Sequence, residues 1–365
     1  MRYLLVTFID MERSLKQRPH YLVEYLRGNG SLHVLSIKYG QKVGKRKIKN
    51  CGDYINIAVE CRFIDLFNEN FLYDRLEPNS YYDVVICEGP WAGLLGIRLK
   101  DRGQARLYVY EDIDYFPAFF EYDYIYEIVR SMENRCMTKA DVIFSVSNTL
   151  KELRSSYIDK NKIYLSPNGI EKINKTTDLK ENIILYAGTI DEWSGLDLVI
   201  RAYSEITTVE TRSRLLIYGD GKMTKEYNNM INRLKIADRA FIKGKISHKK
   251  LLDIYSRSLI GLCLLKPTEL VRYSFPIKLI EYMASGLLVI ATKCGDMERI
   301  INESGSGILI DYGKEQIKDA ILQLLGMNAI KRQEMMSNGI EYAKRYKWDN
   351  IFEDELSVIR ARLQV

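Results

Sequence analysis

The sequence predicts an α/β protein made of two consecutive Rossmann-like halves, each a parallel sheet wound with helices. Three observations predict it. Short apolar runs rich in Val, Ile and Leu alternate with longer amphipathic stretches, which is the pattern of βαβ units. Several runs end in Gly, Asp or Asn, residues suited to the turn that follows a strand. The 365 residues, 47% of them hydrophobic, suffice for two domains of ordinary size.

In the first half the runs are Tyr3–Phe8, Leu32–Ile37, Asp83–Cys87, Leu107–Tyr110, Val142–Val146 and Ile163–Leu165. After the first, a helix places Leu22, Val23, Tyr25 and Leu26 on its buried face and stops at Gly28. Ahead of that helix stand Gln17-Arg18-Pro19-His20. Arg18 reads either as a ligand-facing cation or as a surface charge, and His20 as a helix-start residue packing locally. The stretch Gly40–Asn50 holds Lys42, Lys45, Arg46, Lys47 and Lys49 with no acid. It reads as a solvated loop, or as a contact for anionic lipid headgroups at about 1 kcal/mol per cation. The aromatic cluster Tyr115–Tyr126, YFPAFFEYDYIY, is core if buried and an interfacial patch if exposed. Leu107–Tyr110 runs into Glu111-Asp112-Ile113-Asp114, a group of carboxylates at the C-terminal end of a strand; Asp114 also reads as a helix N-cap. Pro167-Asn168-Gly169 is a turn by its chemistry, and EKINKTTDLKEN after it is a polar linker. The expected division is 1–170, 171–345, and a terminal helical segment 346–365.

The second half opens with ENIILYAG, whose strand ends at Gly188 before Thr189, and Asp191-Glu192-Trp193 fills the turn. Leu215–Tyr218 leads into Gly219-Asp220-Gly221, a G-x-G without the third Gly or the downstream acid of a dinucleotide site. A strand, a Gly turn at Lys243–Ile246, a helix capped by Ser247 and the next strand follow. Then comes the most informative stretch, Lys266–Gly286, KPTELVRYSFPIKLIEYMASG, between the apolar runs Ile260–Leu265 and Leu287–Thr292. It predicts a polar loop and a helix opened by Ser274 and Pro276 and closed by Gly286. Loops at the C-terminal ends of parallel strands are where open α/β sheets bind ligands, and a helix N-terminus there favours an anion. Lys266, Arg272 and Lys278 add positive charge. Glu281 follows one turn after Lys278, as an acceptor for hydroxyl groups or as an i,i+3 ion pair with Lys278. Phosphate at the mouth with hydroxyls behind it points to a nucleotide sugar. Gly305–Asp311 gives the last strand, and Asp349–Leu363 an amphipathic terminal helix.

The stretch KLIEYMASG, with Ser274-Phe275-Pro276 before it, resembles the donor-site signature of GT-B fold glycosyltransferases, in particular the large glycogen-synthase-like retaining family. The likeness is strongest from Ile183 to Gly307 and extends to Pro167-Asn168-Gly169 and to Tyr346-Lys347-Trp348. It implies two Rossmann-like domains facing a central cleft, with the C-terminal helix crossing back onto the first domain. It also implies a nucleotide-diphosphate sugar held mainly by the second domain and an acceptor bound by the first. Glu281 matches the second Glu of the signature and would hold the ribose hydroxyls; the first falls on Tyr273. Gly188, Thr189, Gly219 and Asp220 would line the phosphates, and Lys243 and Ile246 would border the base. Charge compensation for the diphosphate would come from Lys266, Arg272, Lys278 or Arg18, with Ser274 among the binding candidates at the start of the helix. Relatives carry Gly-Arg and then Lys-Gly where this chain has Gly188-Thr189 and Ser194-Gly195, so two clamp cations are replaced. Trp193 in that turn reads as packing or as a ligand contact. Asp114, Asp112 and Glu111 are the candidates for the base that takes the acceptor proton. Asp112-Ile113-Asp114 also spells the metal signature of the other large glycosyltransferase fold, which lacks a second Rossmann-like half, and no metal ligand is assigned.

Composition bounds the partners. A net charge of +6 is too mild to imply nucleic acid without a motif. Six cysteines without a C-x-x-C pair read as reduced core residues, the N-terminal apolar run is too short for a signal segment, and no run spans a bilayer. The expectation is a cytoplasmic, metal-independent hexosyltransferase without a cofactor, taking a nucleotide sugar donor and a glycan or lipid-linked acceptor, with peripheral contact to an anionic membrane. Two alternatives stand beside it: a non-catalytic or partner-dependent protein of the same fold, and a sugar-nucleotide epimerase.

Overall fold

Two sheets carry the chain, one in each of two compact units, Met1–Asn168 with Trp348–Val365 and Gly169–Lys347. The computed structural model describes every residue except Arg13, Leu15, Gln41, Lys42, Lys45, Glu69, residues 175–179 and Val365. Part of the basic stretch and the middle of the polar linker therefore lie outside the described residues.

The first unit runs β1 (Arg2–Thr7), α1 (Arg18–Leu26), β2 (Ser31–Tyr39), β3 (Lys47–Asn50), β4 (Ile55–Cys61), β5 (Tyr82–Glu88) and α2 (Gly89–Asp101). It continues with β6 (Ala105–Asp112), α3 (Asp123–Lys139), β7 (Val142–Ser145), α4 (Asn148–Ser155) and β8 (Ile163–Leu165). The sheet order is β3-β4-β2-β1-β5-β6-β7-β8, parallel throughout except for the antiparallel edge pair β3–β4. Strand alternation sorts the core. Leu4 and Val6 of β1 pack with Trp91, Leu95, Val129 and Met137 of α2 and α3. Tyr3 and Leu5 pack with Leu22, Val23 and Leu26 of α1 and with Phe352, Leu356 and Ile359 of the terminal helix. Both faces are covered, as a parallel sheet requires.

The second unit runs β9 (Glu181–Ala187), α5 (Leu196–Ile206), β10 (Arg214–Tyr218), α6 (Thr224–Arg233), β11 (Ala240–Ile242), α7 (His248–Arg257) and β12 (Ser258–Cys263). It continues with α8 (Glu269–Tyr273), α9 (Ile277–Ala284), β13 (Leu288–Thr292), α10 (Asp296–Ser304), β14 (Gly307–Ile310), α11 (Lys314–Leu325) and α12 (Ala329–Ala343). Its parallel sheet has the order β11-β10-β9-β12-β13-β14, so strand order reverses between β9 and β12. The chain then returns to the first unit as α13 (Trp348–Gln364). These are two Rossmann-like α/β units with a C-terminal helix that belongs to the first, the GT-B arrangement.

The structure departs from the sequence reading at several places. β4 has no counterpart among the predicted strands, because Asn56 and Glu60 interrupt its apolar pattern; Asn56 is buried, its Oδ1 accepting from the Ser36 hydroxyl at 2.8 Å on the neighbouring strand. β3 is wholly exposed and exists by pairing with β4, so the end of the expected basic loop is an edge strand. The expected loop between β12 and α9 contains α8, capped by Thr268, whose hydroxyl accepts from the Val271 amide at 3.3 Å. Ser274 closes α8, donating to the Val271 carbonyl at 3.2 Å, and does not cap α9; Pro276 is the cap residue there and makes no side-chain bond. The aromatic cluster divides: Tyr115 and Pro117 are buried, while Phe119, Tyr122 and Tyr124 are exposed.

Candidate functional site

In the second unit the reversal between β9 and β12 brings together the loops that carry most of the expected ligand contacts, the place where open α/β sheets hold ligands. The turns after β9 and β10 lie backbone to backbone. Gly219, at φ 144°, sits so close to Gly188 that a Cβ would stand 1.8 Å from its carbonyl oxygen, so only glycine fits. The Gly219 amide donates to the Gly244 carbonyl at 3.0 Å, which fixes the Lys243–Ile246 turn alongside. Asp220 serves its own turn: Oδ1 accepts from the Gly221 amide at 2.9 Å and from the Thr224 hydroxyl at 3.0 Å. The loops after β9 and β12 are joined where the Lys266 amide donates to the Trp193 carbonyl at 3.0 Å.

Tyr282 seats α9. Its hydroxyl accepts from the Ala187 amide at 2.9 Å, and the absence of a side chain at Gly261 of β12 makes room for its ring. This placement turns Lys278 toward the end of β9. Its ammonium lies 4.0 Å from the Tyr186 ring centroid, and a methyl on Gly188 would stand 2.6 Å from it. The Tyr186 hydroxyl donates to the Thr189 carbonyl at 2.7 Å. Lys278, Gly188, Thr189 and Gly219 thus form one connected group. At the start of α9, the Ile277 and Leu279 amides donate to the Phe275 and Pro276 carbonyls. Two amides at the start of α9 are thus engaged locally, and the Lys278 ammonium is the positive side chain placed against the Gly188 backbone.

Glu281 does not pair with Lys278. Its Oε1 lies 3.0 Å from Nε2 of His248, and its Oε2 accepts from the Tyr255 hydroxyl at 3.3 Å. The hydrogen bond to Glu281 raises the His248 pKa above the usual imidazole value. His248 belongs to no motif in the sequence; its one signal there is its place directly after the Ser247 cap, whose hydroxyl accepts from the Lys250 amide. Lys266 and Arg272 are exposed on the loop and short helix between β12 and α9, and Lys243 lies 4.4 Å from the Phe241 ring.

In the first unit the expected carboxylates separate. Asp112 is fully buried in an ion pair with Arg154, Nη2 to Oδ1 at 2.9 Å and Nε to Oδ2 at 3.1 Å, and also accepts from Ser145. Glu133 shares the same guanidinium at 2.9 Å. Glu111 accepts from Arg18 Nε at 2.8 Å. Arg18 itself is buried, bonded also to Ser166, to the Pro167 carbonyl and to Glu355 of α13. It is neither a surface charge nor a group turned outward to a phosphate, because its donors are committed to a clasp joining α1, β6, the end of β8 and α13. His20 accepts from the Gln17 amide at 3.2 Å, a helix-start role. Asp114 caps no helix: the next helical turns begin after Tyr115 and Tyr122. Burial, and then the charge of Asp112, push the Asp114 carboxyl up to about 7.

Among the described residues no group of three or more His, Cys, Asp or Glu could hold a metal ion, and no helix is long and apolar enough to cross a membrane. None of the six cysteines is in a disulfide.

Residues 169–344 match the family described as glycosyl transferases group 1. An uncharacterized glycosyltransferase of Methanocaldococcus jannaschii is 27% identical over 217 residues, 58% of this chain and 57% of that one. A D-inositol 3-phosphate glycosyltransferase of Acidothermus cellulolyticus is 25% identical over 191 residues, 50% of this chain and 41% of that one. The chain thus spans about half the length of the curated relatives it matches. Among solved structures, a sucrose-phosphate synthase from Thermosynechococcus elongatus superposes with a TM-score of 0.78 at 17% identity, over 99% of this chain and 98% of that one. An Anabaena protein in complex with UDP superposes with a TM-score of 0.72 at 12% identity, over 99% and 100%. At such identities the structural likeness shows the GT-B fold, and the family match shows that the second unit, residues 169–344, a little under half of the chain, is similar to the glycosyl transferases group 1.

Proposed function

We propose that this protein transfers a hexose-type sugar from a nucleotide-diphosphate sugar to a hydroxyl of a glycan or lipid-linked acceptor. The observation that carries the reading is Lys278: its ammonium lies against the Gly188 backbone at the strand-order reversal, one turn before Glu281. A diphosphate there meets a positive charge held beside backbone that a side chain would block. Glu281 would take the ribose hydroxyls, the turn at Lys243–Ile246 would border the base, and Gly188, Thr189, Gly219 and Asp220 would flank the phosphates. Lys266, Arg272 and Ser274 would add contacts from the segment before α9.

In the reaction, the bond between the sugar's anomeric carbon and the diphosphate oxygen breaks, and its electron pair passes to the diphosphate. Lys278 stabilises that growing charge, so the chemistry requires no metal. The acceptor oxygen bonds the anomeric carbon and gives up its proton. Asp114 is the proposed base, since a carboxyl near about 7 is partly ionised at neutral pH and basic enough to take a proton. Asp112 and Glu111, held by Arg154 and Arg18, are better suited to fixing the strand end than to this role.

A lipid-linked acceptor and contact with an anionic membrane at its cytoplasmic face fit the exposed Ile64, Phe119, Tyr122, Tyr124 and Ile128 of the first unit. Co-sedimentation with phosphatidylglycerol vesicles and none with phosphatidylcholine vesicles checks that part. Protection against thermal unfolding by UDP-, GDP- and dTDP-sugars tests the donor reading, with uridine first because one structural relative is in complex with UDP. A chain protected by none of them does not have this function. Donor consumed without acceptor would indicate an epimerase. Protection without transfer to any acceptor would indicate the partner-dependent alternative, which the Thr189 and Ser194-Gly195 replacements favour.

A further inference from the structure

Both carboxylate oxygens of Glu281 are engaged by one neighbouring helix. His248, the first residue of α7, meets Oε1, and Tyr255, two turns along the same helix, meets Oε2. The two partners differ in kind. Tyr255 is buried, and its ring stands edge-on to Tyr282 at 5.1 Å, the residue that seats α9 on β9. That side of Glu281 is built into the core. The His248 side chain is half-exposed, so a hydroxyl-bearing ligand arriving from solvent meets Glu281 at the oxygen that the imidazole holds.

We propose that His248 is a positioning residue for the donor: it presents Glu281 to the ribose hydroxyls, and its protonation weakens the grip on a ribonucleoside diphosphate. This rests on the reading of Glu281 given above. A carboxylate oxygen has two lone-pair sites, so a neutral imidazole donating from Nε2 leaves one for a ribose hydroxyl. An imidazolium makes the same contact an ion pair and draws off the charge the hydroxyl would share. The groups that face the pair are few. Glu171 adds a second negative influence on His248. Tyr255 and Tyr282 are kept protonated by burial. Lys278 stands one turn earlier on α9, and Lys249 and Lys250 follow His248 on α7.

The test is calorimetric binding of UDP, GDP and dTDP to the full chain, with the tightest of the three carried to the wild type, His248→Ala, His248→Gln and Glu281→Ala. At about pH 8.5 the expected losses are about fivefold for His248→Ala and at least about tenfold for Glu281→Ala, with His248→Gln within about twofold of wild type. Between about pH 8.5 and 6 the wild type loses about fivefold more affinity than His248→Gln, a comparison that cancels the titration of the nucleotide's own phosphate. His248→Ala binding like wild type, or the two pH profiles running parallel, overturns the proposal. Loss in Glu281→Ala alone leaves the donor reading standing and removes only His248. Full affinity in Glu281→Ala, or no binding of any of the three nucleotides, overturns both.

Discussion

Lys278 shows how the chemistry of a side chain is set by what lies beneath it. Its ammonium has a ring face and a glycine backbone for neighbours and, among the described residues, no carboxylate at salt-bridge distance, so its charge is available to an anion. Lys278→Ala is expected to weaken nucleotide binding about tenfold or more, the loss of one charge-assisted hydrogen bond. It should lower the melting temperature only slightly, because a cation–π contact contributes about 0.5–1 kcal/mol. Titration calorimetry and a thermal melt of the same variant check both halves. Asp114 is the opposite case, an acid raised to about 7 by burial and by Asp112. As a base it must be ionised, so transfer should rise with pH through about 7. Asp114→Asn should cut transfer by at least about a hundredfold while donor affinity holds. Normal turnover in that variant would return the proton to another acceptor.

At the scale of elements, α13 is the part of the first unit that comes from furthest along the chain. It buries Trp348, Ile351, Phe352, Leu356 and Ile359 against the β1–β5–β6 face, and Glu355 completes the Arg18 clasp. Five such side chains at about 1.5–3 kcal/mol each amount to roughly 10 kcal/mol, comparable with the roughly 5–15 kcal/mol that holds a whole domain folded. Removal of 348–365 is therefore expected to leave the first unit open to proteolysis while fragments of 169–347 stay protected. Mass spectrometry of a limited digest reads the difference, and a truncated chain as resistant as the full one would refute the expectation.

For the molecule as a whole, the buried acids of the first unit set a pH dependence. Glu88, Glu133 and Glu355 are each pushed up to about 8, chiefly by desolvation. In the folded state they keep their protons where the unfolded chain has already ionised. Their contribution is thus full below the ordinary carboxylate range and is lost as pH rises toward about 8. His20 and His33, lowered by partial burial, act in the opposite sense near their own range, but they are two half-buried groups against three buried ones. The melting temperature should fall between about pH 5 and 8, and Glu88→Gln should flatten that fall. A melting temperature constant or rising across the interval would contradict the assignment.

The sequence by itself determined the fold class, most of the strands and helices, and the residue types at the turns, because these follow from local periodicity and from backbone freedom at positions such as Gly188 and Gly219. It marked Lys278 and Glu281 as neighbours one turn apart, which helical spacing guarantees. What only the tertiary structure decided is which charge meets which. Arg18 turned inward to Glu111 and Glu355, Arg154 claimed Asp112, and Glu281 took His248 in place of Lys278. β4 stayed hidden for the same reason, its buried Asn56 being satisfied by Ser36 on another strand. Such partnerships join residues far apart in the chain and depend on the order in which strands lie side by side, which no local pattern of letters encodes.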